Sequence, residues 1–180
     1  MDYKKFTKQL SSKLDYARSN LFEMTISVPD STDVESRLPM MIKTTQLPGK
    51  QLGEIQVKRF GAGFKMANDV ILDVLSITVM CSSDMSERRF FHDWIERIYG
   101  AGGEREYRMA YYDEYAATAT ITTFDRQFHK KHNIQLQEVW PNSIGPVELS
   151  WESSEVSTFT VNLTYRNWVE VEVETTGTTP

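Results

Sequence analysis

Apolar and polar residues alternate with great regularity over the last third of the chain. From Phe159 to Val173 the odd positions are Phe159, Val161, Leu163, Tyr165, Val169, Val171 and Val173, interrupted only at Asn167. The even positions are threonine, asparagine, arginine and glutamate, with Trp168 the exception. A strict period of two puts one set of side chains on a core and the other in water. Strands ordinarily run about 5–6 residues. A run this long either bends at Asn167–Trp168 or belongs to an extended sheet shared between subunits, and the second option points to assembly.

The same reading applied upstream gives a series of shorter elements. Asp2 to Leu14 reads as an amphipathic helix, with Tyr3, Phe6, Leu10 and Leu14 on one stripe and lysines elsewhere. Phe22, Met24, Ile26 and Val28 alternate with polar residues until Pro29 closes the strand, and Met40–Thr45 reads as a second one, closed by Leu47-Pro48-Gly49. Residues 51–80 read as a hairpin whose glycine-bearing stretch, about 50–68, is predicted to protrude as an arm. Asp84 to Tyr99 is the clearest helix: Phe90, Phe91, Trp94, Ile95, Ile98 and Tyr99 make a broad apolar stripe, Asp84 and Glu87 have capping-box spacing, and Gly100 suits a left-handed stop. Further strands are predicted at Tyr107–Tyr112, Ala117–Phe124, Ile134–Trp140 and Val147–Trp151, with a Pro/Gly turn at Pro141–Pro146. Strands on either side of one good helix indicate an α+β, mainly β, antiparallel fold: a barrel or sandwich with one flanking helix and a short N-terminal helix. Residues 1–174 are expected to form one domain and 175–180 a flexible tail.

Composition narrows the class. A chain of 180 residues with 40% hydrophobic and 25% charged residues is a folded single domain. No apolar run approaches the roughly 20 residues of a membrane span, and residues 1–5 lack signal-peptide features. The single cysteine, Cys81, leaves no internal disulfide. Net charge is −5, spread unevenly: residues 1–20 carry +3 and residues 148–180 carry −5. Such a chain has no basic stripe with which to grip nucleic acid.

Candidate chemistry does not assemble. Gly61-Ala62-Gly63 lacks the third glycine of a dinucleotide fingerprint, and Gly100-Ala101-Gly102-Gly103 follows a helix where a strand is needed. His129 and His132 have metal-ligand spacing, but Lys130 and Lys131 between them repel a cation. His92-Asp93 reads as a helix-surface pair, Cys81 as a buried structural thiol, and Glu148, Glu152, Glu155, Glu170, Glu172 and Glu174 as a solvated acidic face. The expectation is therefore a protein with no catalytic residues, no metal and no cofactor.

Four blocks in order resemble a known family: Ala17-Arg18-Ser19-Asn20-Leu21-Phe22-Glu23; Lys43-Thr44-Thr45-Gln46-Leu47-Pro48-Gly49; Phe91-His92-Asp93-Trp94; and Leu136 through Trp140-Pro141 to Leu149-Ser150-Trp151. The chain resembles the tail tube proteins of contractile-tailed bacteriophages over about Tyr16 to Val171, and is similar in kind to the haemolysin-coregulated tube protein of type VI secretion. The resemblance implies a virion protein assembled in the host cytoplasm. Strands of six subunits would join into rings, and the rings would stack into a tube within the tail sheath, between baseplate and tail-terminator proteins. DNA would pass in transit, without specific binding, during genome ejection. A baseplate tube initiator or a secretion-tube subunit is the alternative. Under this reading Phe60, Gly61, Phe64 and Met66 on the arm are expected to meet the neighbouring ring, and Glu148, Glu152 and Glu155 to face the lumen. No membrane is involved.

Overall fold

The computed structural model describes residues 17–29, 34–58, 61–100, 108–152 and 154–172. The N-terminal helix expected over Asp2–Leu14, the tail 175–180 and Phe60 lie outside the described residues. In chain order the elements are β1 (Phe22–Ser27), α1 (Leu38–Met41), β2 (Ile42–Thr44), β3 (Gln51–Lys58), β4 (Gly63–Ile71), β5 (Leu75–Met80), α2 (Ser86–Ile98), β6 (Tyr99–Gly100), β7 (Arg108–Met109), α3 (Tyr112–Tyr115), β8 (Ala117–Phe124), β9 (Lys130–Ile144), β10 (Thr158–Thr164) and β11 (Asn167–Val171).

Seven strands form one antiparallel sheet in the order β1-β8-β9-β10-β5-β2, with β11 also on β9, rolled into a nearly closed barrel. The alternating strands point their apolar residues to one interior. Met24 and Ile26 from β1, Leu75, Ile77 and Val79 from β5, and Phe159, Val161 and Leu163 from β10 are all buried. Helix α2 closes the barrel with Phe90, Phe91, Trp94 and Ile98. The Phe91 ring meets Phe159 edge-on at 6.1 Å, and Trp94 Nε1 donates to the Tyr115 carbonyl at 2.9 Å, so the indole's one polar atom is satisfied.

The long C-terminal alternation is two strands, and the longest strand is β9, with 15 residues. β10 and β11 run along the same side of β9, with Thr164 opposite Trp140 and Asn167 opposite Gln137. The chain bends between them at Tyr165–Arg166, beside the position the alternation had marked. β9 bends at the same height: Glu138 has φ 55, and β8 pairs Ala117 with Val139 but Ala119 with Leu136, one residue more on β9 than on β8. This is a bulge, which turns one sheet into the next. Arg166 Nη1 holds both Glu138 carboxylate oxygens at 2.9 and 3.1 Å, tying the two bends together.

Several local expectations are corrected. The capping box at Asp84/Glu87 does not form: Met85, at φ 54, precedes the helix without a side-chain cap. Glu87 is instead fully buried, its Oε2 accepting from Ser82 N at 3.0 Å and Ser82 Oγ at 2.5 Å. The preceding turn has claimed the carboxylate that the cap would need. Gly100 is extended within β6, not left-handed, because Tyr99 and Gly100 pair with Met109 and Arg108. Met40–Met41 are helical before β2 begins; of the strand expected over Tyr107–Tyr112, Tyr107 lies outside the described residues, and the rest gives the two-residue β7 before α3. Pro141–Ile144 continues β9 against β10, with Pro141 opposite Leu163, beyond the point where β8 ends opposite Val139. Val147–Trp151 is irregular chain, not strand.

Candidate assembly surfaces

Strands β3 and β4 pair only with each other among the described strands, from Gln51 opposite Ile71 to Lys58 opposite Gly63. Gly61, at φ 109, supplies a left-handed position in the turn. Gly53 sits where the register slips, and a Cβ there would lie 2.2 Å from Asp69 Oδ1. Both faces of this hairpin are open. Leu52, Ile55, Phe64, Met66, Val70 and Ile71 are all exposed, Phe64 at 51% and Met66 at 48%. At its root Lys50 Nζ lies 4.4 Å from the centre of the Trp168 ring on β11, a cation–π contact between arm and barrel.

The barrel leaves edges as well. β1 and β2 end the strand order, and β11 pairs only with β9, so three strands keep one side without a strand partner among the described residues. Unpaired strand edges recruit further strands.

The connection between β9 and β10 carries Glu148, Glu152 and Glu155, all exposed. Glu148 and Glu155 line one open depression of 710 Å³ with Leu149, Trp151 and Val156, whereas Glu152 is not part of its wall. Trp151 is fully exposed. Phe64, Met66 and Gly61 share the arm, so the expected contact residues fall on two separate surfaces.

Elsewhere the polar groups make structure. Asp125 Oδ1 accepts from Gln127 N at 2.8 Å and His129 N at 2.9 Å, and Oδ2 faces His129 Nδ1 and Lys131 Nζ. These bonds, the His129 N–H first, hold its carboxyl down at about 2. His132 lies within β9, two residues after its start, and is not joined to His129 by any ligand set; among the described residues no three histidines, cysteines or acidic groups cluster as a metal site. Burial, then Glu87, pushes the Cys81 thiol up, away from reactivity. Burial alone would raise Glu87, yet the Ser82 hydroxyl and N–H outweigh it and keep the carboxyl below its ordinary value. Tyr112 is pushed up to about 12 by burial and by its bond to Glu138. Sequence reasoning missed the Glu138–Arg166 clamp and the Lys50–Trp168 contact. The first had a signal, because buried positions in β9 change parity between Leu136 and Val139.

The sequence model of the phage tail tube protein family matches residues 6–171. The tail tube protein of Serratia phage KSP90 is 28% identical over 152 residues, covering 82% of this chain and 85% of that protein. Among solved structures, a chain of the anti-feeding prophage baseplate superposes with a TM-score of 0.67 at 14% identity, covering 88% of this chain and 97% of its own length. The Hcp1 protein of E. coli EAEC 042 superposes with a TM-score of 0.50 at 12% identity, covering 84% and 92%. No helix among the described residues is long and apolar enough to cross a membrane. An edge-rich barrel with an exposed arm is what a building block requires, and the family match agrees: the chain belongs to the phage tail tube protein family, a structural virion component and not an enzyme.

Proposed function

We propose that this chain is the repeating subunit of the inner tube of a contractile phage tail, assembled in the host cytoplasm as stacked hexameric rings inside a sheath and on a baseplate. The observation that carries the reading is the combination of edges on β1, β2 and β11 that are open among the described residues with an arm whose apolar residues are exposed. Edge pairing closes a ring, and the arm, through Phe64 and Met66 near Gly61 and Phe60, reaches the next ring. Tubes seen by negative-stain microscopy of the purified protein are the expected result. A stable 20.8 kDa species in sedimentation over a wide range of concentration and salt overturns it.

The bore of such a tube conducts DNA during genome ejection and must not hold it. Basic walls would bind phosphate through counterion release. Glu148, Glu152 and Glu155, exposed on one connection, are proposed to line the bore and keep it negative. Tight, salt-sensitive DNA binding by intact tubes at low salt would refute that assignment.

A further inference from the structure

We propose that the acidic edge strand β11 of a second copy seats in a basic groove beside the first half of α2, making a head-to-tail contact between subunits. The groove, 560 Å³ in volume, lies between α2 and the connection that follows β9. Arg88, Arg89 and His92 form one wall and Pro146, Val147 and Leu149 the other, and no described carboxylate lines it. All three α2 side chains are exposed, and Leu149 is 77% exposed. They belong to the outward stripe of a helix whose inward stripe, Phe90, Phe91 and Trp94, is buried in the core. Among the described residues none of the three forms an ion pair. Basic groups beside an apolar wall suit an acidic segment that also carries apolar residues.

β11 and the residue after it have that character. Glu170, Val171 and Glu172 are exposed in succession, and one side of the strand has no strand partner among the described residues. Other exposed elements fit less well. The arm carries Lys58 and Lys65 beside its apolar residues, and the groove repels them. On α3, Glu114 is already engaged by the Tyr111 N–H at 3.3 Å. Groove and strand lie at opposite ends of β9. Val171 stands opposite Asn133, whereas the groove begins at Pro146, just past Ile144. From Asn133 to Ile144 the strand spans up to about 36 Å. Even with the bend at Glu138, that distance exceeds what side chains bridge, so one subunit cannot close the contact on itself. Complementary patches at opposite ends make a heterologous contact, which repeats around a ring or along a filament. The choice of a second copy as occupant rests on the tube-subunit reading.

Charge exchange in the full chain tests it. One variant carries Arg88→Glu with Arg89→Glu, the other Glu170→Lys with Glu172→Lys. Each alone should lower the assembled fraction in low-salt sedimentation at least about tenfold, because groove and strand then carry like charge. Mixed in equal amounts, the two should assemble again, since reversed groove meets reversed strand and native groove meets native strand. No recovery in the mixture overturns the proposal, as does undiminished assembly of either variant alone. A second route does not depend on the charge variants. Arg89→Cys and Glu172→Cys, each on a Cys81→Ser background, are mixed and oxidised. Disulfide-linked dimers should exceed those of either variant alone several-fold, and circular dichroism on every variant confirms the fold. Cross-linked dimers without tubes uphold this contact and count against the tube reading. Tubes without the cross-link uphold the tube reading and overturn this contact.

Discussion

β4 and β10 are strands of similar length with opposite fates. β10 hides Phe159, Val161 and Leu163 in the barrel, while β4 runs nine residues without burying one. Both contain apolar residues, so composition does not separate them; what differs is whether a third layer exists. β10 lies between β9 and β5 with α2 above it, and β4 has only β3. A lone two-stranded hairpin is marginal in water. The arm is tied by the Lys65–Glu54 pair at 2.5 Å and by its root, where Lys50 meets Trp168, and its apolar residues stay exposed. The barrel stores the stability; the arm is the part proposed to carry assembly contacts.

That contrast can be broken by substitutions of matched size. Phe91→Ala, in the barrel, should cost about 3–5 kcal/mol in denaturant unfolding, since the emptied space lies between α2 and β10. Glu87→Ala should cost about 1–3 kcal/mol by stranding the Ser82 N–H, which donates to Glu87 Oε2. The Glu87 carboxyl is depressed in the fold, so its contribution is present above the ordinary carboxylate range and fades as pH falls through its lowered value. A pH series of unfolding midpoints for wild type and variant should converge there; a constant gap would show that the lost side chain mattered only as packing. Lys50→Ala should cost no more than about 0.5–1 kcal/mol, yet raise hydrogen exchange in the arm root. Smallest in stability is Phe64→Ala, within about 0.5 kcal/mol of wild type. Deletion of Gly61–Met66 should likewise leave folded subunits or single rings. Both should shorten or abolish tubes, and normal tubes from the deletion would collapse the distinction between barrel and arm.

Acid sharpens the comparison at one more place. Asp125, held at about 2, stabilises its turn above the ordinary aspartate value and releases it as pH falls through about 2. Asp125→Asn should lower the melting temperature at neutral pH, with the difference closing in that window. A difference independent of pH would assign the effect to the turn's shape and not to its charge.

Where one face of an element is buried, the pattern in the sequence was legible. β1, β8 and α2 fall where the alternation and the apolar stripe put them, and the arm hairpin is framed by its glycines. The misses share a cause: each depends on a partner remote in sequence. Glu87 has capping spacing from Asp84, but Ser82 competes for it and wins. Pro141 resembles a turn residue yet continues β9, opposite Leu163 of β10, where β8 has already ended. The two bends were half visible, as a shift of parity in β9 and a lapse at Asn167, while their pairing through Arg166 was not. The expected contact residues on the arm and the acidic connection sit on exposed chain, where one subunit's sequence encodes a surface without its complement.

The place of β10 in the strand order also sets a timetable. β5 pairs with β2 and β10, and β10 is its sole link to β9. During synthesis the β2–β5 pair must wait for Thr158–Thr164, some 80 residues later, or about 4–16 s at ribosomal speed. Until then neither half of the barrel is complete. Chains arrested after residue 157 should be digested rapidly by protease, and extension past β11 should confer resistance in a single step.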